Sequence, residues 1–134
     1  MYIVIIFIIL FGAWYILRNL HDDYMEKDPT VTRIKTKLIN TFPELNYVKL
    51  MKGGESATIN KHRVYLCTDY NGVKYDDNML TYVLLHELAH VTTPEIGHGV
   101  AFKLQFESLL NRATTAGLYN PNVSRPKNYC GVSN

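Results

Sequence analysis

The chain begins without charge, has little cysteine and carries almost no net charge. No Asp, Glu, Lys or Arg precedes Arg18, although the 134 residues include 14 Lys and Arg and 12 Asp and Glu. A net charge of +2 leaves no electrostatic footprint for nucleic acid, so a nucleic-acid partner is not expected. Two cysteines, Cys67 and Cys130, suffice for one disulfide and leave the redox compartment open. Neither belongs to a C-x-x-C pair, which excludes a cysteine zinc ribbon. Internal repeats and low-complexity tracts are also missing, which excludes a repeat architecture. The length suits one domain, and about 110 residues remain for its core once the N-terminal segment is set aside.

That segment, "YIVIIFIILFGAWYIL" (2–17), is uncharged from end to end. As a helix it measures about 24 Å against a hydrocarbon core of about 30 Å. Counting to Leu20, with Arg18 snorkelling, brings it near spanning length. Tyr2 at one end and Trp14 and Tyr15 at the other suit interfacial positions. A cleaved signal peptide would need a basic start and a small-x-small site, but nothing basic precedes the run and "WYILRNLHDD" offers no such site. A core helix this uniformly apolar does not suit so small a domain. The expected organisation is an anchor at 1–20, a linker at 21–29 and a domain at 30–134. Arg18, Lys27, Arg33, Lys35 and Lys37 follow the anchor closely. The bias of basic residues therefore predicts a single-pass protein whose C-terminal domain is cytoplasmic or virion-interior.

Asp28 before Pro29 resembles a helix cap, and Val31, Ile34, Leu38 and Phe42 recur at helical spacing before Pro43. "LNYVKLM" alternates as a strand does. "SATINKHRVYLCT" reads as two strands about a turn near Asn60 and Lys61, the second at Val64 to Cys67. Asn71-Gly72 suits a tight turn. A helix from Asp77, capped by Asp77 or Asn78, carries the apolar stripe Leu80, Val83, Leu84, Leu88 and Ala89 as far as about Val91. Pro94 prevents its continuation. A last helix over about Gly99 to Ala113 puts Phe102, Phe106, Leu109 and Leu110 on one face, and the tail "NPNVSRPKNYCGVSN" shows no helical pattern. The order predicts an α+β fold.

"HELAHVTTPEIGHG" (86–99) holds three of the five histidines. A spacing of four puts His86 and His90 on one side of a helix, one turn apart, where both can reach one metal at about 2.0–2.1 Å. Glu87 is angled off that axis. It can act as general acid/base on a zinc-bound water, whose pKa zinc lowers toward about 7, without ligating the metal. Catalytic zinc takes three protein ligands, and His98 is the expected third because Pro94, Gly97 and Gly99 let the chain reverse. Glu95 and Glu107 are lesser candidates, Asp69 and His62 weaker ones. The bland alternative is two surface histidines and a solvated glutamate. A structural zinc site would instead need a fourth His or Cys, which only Cys67 or Cys130 could supply, and would have no use for Glu87.

"HELAHVTTPEIGHGVAF" resembles the SprT-like and WLM zinc metallopeptidases, minimal zincins in which H-E-x-x-H is followed by a third histidine in a His-Gly-x-x-Phe context. The resemblance covers about Asp77 to Leu110. It implies a helix and small sheet before the active helix, zinc on His86, His90 and His98, and Glu87 as catalytic acid/base. "NYCGV" is similar to the tails of WLM-like peptidases of large DNA viruses. Unlike the DNA-repair members, this chain has an anchor and no basic DNA-binding region, so only the peptidase chemistry carries over. Peptide deformylases share H-E-x-x-H, but their cysteine-loop context is not matched around Cys67.

The expectation is therefore a membrane-anchored zinc peptidase acting on a protein or peptide substrate, with the membrane engaged through the N-terminal helix. Its rivals are an idle zincin-like structural protein of a membrane or virion, a zinc hydrolase of non-peptide amides, and a DNA-associated crosslink protease of the SprT type.

Overall fold

A computed structural model describes residues 1–94 and 96–130 and the backbone of 132–133. The fold is α+β: four α-helices, a small mixed sheet and two short strand pairs among the described residues. Helix α1 spans Tyr2–Glu26 and α2 spans Pro29–Leu38. Asp28 caps α2 as expected, accepting from the N–H groups of Thr30 and Val31. The "LNYVKLM" stretch divides: Pro43–Tyr47 is a 3-10 turn, and only Lys49–Lys52 forms strand β1. Strands β2 (Ala57–Ile59) and β3 (Arg63–Leu66) follow. The turn joining them holds Asn60 and Lys61 at φ 54° and 61°, the left-handed pairing of a tight hairpin. Strands β4 (Asp69–Tyr70) and β5 (Val73–Lys74) form a second hairpin about Asn71 and Gly72. Helices α3 (Asp77–Thr92) and α4 (Val100–Thr115) come next, and β6 (Asn128–Tyr129) pairs with β7 (Val132–Ser133).

The sheet order is β1-β3-β2, with β1 parallel and β2 antiparallel to β3, so β2 is an outer strand. Alternation along the strands sorts the two faces. Leu50, Val64 and Leu66 point into the main core with Val31, Ile34 and Leu38 of α2 and Leu80, Leu84 and Leu88 of α3. The opposite face carries Lys49, Arg63 and Tyr65, and the end of α1 lies there. Arg63 donates to Asp22 at 2.8 Å and Tyr65 donates to it at 3.0 Å, while Lys49 pairs with Asp23.

Two expectations need correcting. Residues 21–26 are not a linker: they extend α1, because Asn19, Asp22 and Asp23 recur on the side that meets the sheet's basic residues. The cap of α3 is Asp76, whose carboxylate accepts from Met79 N–H at 2.7 Å. Asp77 is turned to Arg33 instead, and Asn78 to Asn120. The tail, without helical pattern as expected, is held to the domain. Tyr119, Tyr129 and Cys130 belong to the core, and a Cys67–Cys130 disulfide joins positions 63 apart. On loop entropy alone such a link is worth about 4 kcal/mol.

Candidate metal centre

Helix α3 makes the site by presenting two unlike faces. Leu80, Leu84 and Leu88 recur every fourth residue and are fully buried. Rotated from that stripe, His86 and His90 stand one turn apart at the helix surface. The helix stops at Thr92, and Gly97 at φ 94° turns the chain back. A side chain at that φ is strained, so the reversal depends on glycine. His98 is thereby returned over α3. Its Nε2 lies 3.1 Å from that of His90 and 3.3 Å from that of His86. The three ligand atoms all lie within 4.8 Å of one another.

These spacings fit a metal. Bonds of about 2.0–2.1 Å in tetrahedral geometry separate ligand atoms by about 3.3–3.4 Å. Imidazole lone pairs this close repel unless a proton or a cation lies between them. Burial, with the neighbouring His90 and His98, pushes His86 down to about 4, and burial lowers His90 too. Both are therefore neutral at pH 7, the form that ligates. Phe102 of α4 packs against all three rings, with centroid separations of 5.0 Å to His86, 4.4 Å to His90 and 4.8 Å to His98. Stacked with His90 and T-shaped to His86 and His98, it limits how the imidazoles can rotate.

Glu87 is buried beside this cluster. Thr58 of β2 donates to its Oε2 at 2.6 Å, and burial raises its pKa despite that bond. The Lys61 ammonium donates to the carbonyls of His90 and Thr93 at 2.6 and 2.7 Å. That clamps the β2–β3 turn to the C-terminal end of α3, where carbonyls lack helical partners. Between them β2 and α3 form the walls of a cleft of about 650 Å³ lined by Thr58, Lys61, Glu87 and the three histidines.

The other candidate ligands lie elsewhere. His62 turns its Nδ1 to Asn60 O at 2.7 Å, Asp69 pairs with Lys52 at 3.1 Å, and Glu107 is exposed on α4. Glu95 lies outside the described residues. Thr58 and Lys61 were not singled out by sequence. Lys61 sat in an expected turn, and a basic residue at such a turn could have been asked what helix end it meets.

Uncharacterized protein 136R of Invertebrate iridescent virus 6 is 37% identical over 128 residues, which cover 87% of this chain and 71% of that protein. The chain belongs to the family of that viral protein. Uncharacterized protein 042R of Invertebrate iridescent virus 3 is 40% identical over 96 residues, covering 70% of this chain and 60% of that protein. Uncharacterized protein R325 of Acanthamoeba polyphaga mimivirus is 35% identical over 82 residues, covering 58% and 42%. The chain thus spans less than two thirds of those last two relatives. No family model matches, and neither does any solved structure.

Proposed function

We propose that this viral protein is a membrane-anchored zinc metallopeptidase of the SprT-like or WLM kind. The observation carrying the reading is the convergence of three Nε2 atoms, two pairs of them at 3.1 and 3.3 Å, beside a buried carboxylate that is not one of the three. His86, His90 and His98 would hold zinc. When bound, zinc supplies Lewis acidity toward the scissile carbonyl and makes water a nucleophile at neutral pH. Thr58 engages Oε2 of Glu87, leaving Oε1 to accept the proton of the attacking water. As the C–O bond forms and the C–N bond breaks, Glu87 returns that proton to the departing amine. Burial favours the protonated carboxyl that this return requires. Strand β2 lines the cleft at the sheet's outer edge, and an edge strand can hydrogen-bond an extended peptide.

Helix α1 supplies the anchor. It has 25 residues, is long and apolar enough to cross a membrane, and its most apolar stretch is 0% buried. The bias of basic residues favours a cytoplasmic or virion-interior domain. The Cys67–Cys130 disulfide favours a second reading, the oxidising side of the membrane, because disulfides persist there. Protease protection in sealed vesicles separates the two.

The activity is tested on the full chain in detergent micelles, by metal analysis and digestion of a peptide library. About one zinc per chain and defined cleavage sites are expected. A chain that takes up no zinc, or that takes it up and cleaves no peptide, would overturn the proposal.

A further inference from the structure

A second cavity, of about 170 Å³, lies against the metal centre. Ser56, His86 and Glu87 line both it and the main cleft, so they form the partition between the two. Its other walls are Met79 and Val83, two turns and one turn earlier on α3, with Tyr82 beside them, Tyr129 and Cys130 from the tail, and Glu55 ahead of β2. We infer that this cavity is the side-chain pocket of the peptidase, accepting an apolar residue of Leu to Phe size next to the scissile bond. The inference rests on the peptidase reading and names what that site selects.

Size and chemistry both point to this occupant. A dry cavity of about 150 Å³ admits a benzene ring, so the volume suits a branched aliphatic or a phenyl group. Met79 and Val83 are nearly fully buried and offer only apolar surface. The polar groups of the tail wall are already engaged. Tyr129 O–H donates to Cys67 O and lies 2.9 Å from Ser56 Oγ, and Cys130 N–H donates to Tyr75 Oη at 2.8 Å. Against these walls a polar side chain would lose water without gaining a partner, at a cost that an apolar one avoids; Glu55, which also lines the cavity, is exposed to solvent. The tail wall is fixed by the disulfide and by Tyr75 packing on Tyr129, ring centroids 4.7 Å apart. The pocket is complete only with the tail in place.

The test compares kcat/KM for peptide pairs that differ at one residue flanking the cleaved bond, using the zinc-loaded full chain in micelles. At one of the two flanking positions, Leu should exceed Gly by at least about tenfold, the effect of losing apolar groups from a fitted pocket. Val83→Phe narrows the pocket and should bring that ratio toward one. Met79→Ala widens it and should move the preference from Leu to Phe or Trp. General destabilisation cannot produce opposite shifts, and either folded variant decides the matter if the other fails to fold. Cleavage with no apolar preference at either position, or folded variants that keep the wild-type ratios, would overturn the pocket and leave the peptidase reading standing. A wild-type chain that cleaves no peptide would overturn both.

Discussion

Helices α1 and α3 are both rich in apolar residues, and the fold uses them in opposite ways. From Tyr2 to Leu17 helix α1 has apolar side chains all round and leaves nearly all of them exposed. Helix α3 buries nine residues and keeps its histidines at the surface of the core, with Glu87 buried next to them. The difference is periodicity. A helix apolar on every side has no face to give water and calls for an apolar medium. One with an apolar stripe uses it to fix position, which leaves its other face free for chemistry. Helix α1 changes character after Arg18, where Asp22 is buried against Arg63 and Tyr65. The apolar helix and the site are thereby joined through β3, the strand that pairs with β2 of the cleft.

The largest expected effect comes from breaking the polar face of α3. His90→Ala should abolish stoichiometric zinc and peptide cleavage. It should also remove the zinc-dependent stabilisation, about 4 kcal/mol when free zinc is about 1,000 times its dissociation constant. Metal analysis and thermal unfolding of the full chain with and without zinc check this. Equal zinc-induced shifts in variant and wild type would mean that α3 holds no ligand there.

The junction of α1 comes next. Asp22→Ala leaves Arg63 half-sheltered without its carboxylate, and removing one partner of a buried pair costs about 3 kcal/mol. Urea unfolding of the full chain in micelles should show that loss. A change under about 0.5 kcal/mol, the range of an ordinary surface substitution, would make α1 a tether rather than a part of the fold.

A smaller effect is set by pH in the metal-free chain. His86 is lowered from 6.5 to about 4 by burial and its histidine neighbours. Between those values the unfolded chain binds the proton and the folded one does not, so stability falls as pH drops through that window. His90 acts in the same direction. Glu87 opposes them, because its raised pKa favours the folded state as pH falls toward 4.5. A net loss is expected because the large His86 shift spans this window and His90 adds to it, and denaturant midpoints at pH 7 and pH 4.5 measure it. His86→Phe should flatten the profile.

Much of this arrangement was legible in the sequence because the signals are local. The stripe from Leu80 to Ala89, the Asn60–Lys61 turn and the Pro94–Gly97–Gly99 reversal each lie within a few residues of what they determine. The histidine trio followed from them. What stayed hidden depends on contacts across the chain. Thr58 reaches Glu87 and Lys61 reaches His90, each across 29 positions, and Arg63 reaches Asp22 across 41. The polar stretch 21–26 read as part of a linker because the basic partners of its acidic residues, Lys49 and Arg63, lie on strands far along the chain. The tail read as patternless because its order comes from a disulfide and from single aromatic side chains, neither of which has a period.

Glu87→Gln in the zinc-loaded full chain tests the central claim most directly, because it keeps the size of the side chain and removes only the base. Zinc content and thermal midpoint should stay close to wild type, while peptide kcat/KM falls by at least the roughly 10²–10⁴-fold typical of losing a general acid/base. A Glu87→Gln chain that keeps its zinc and cleaves peptides at the wild-type rate would contradict the account.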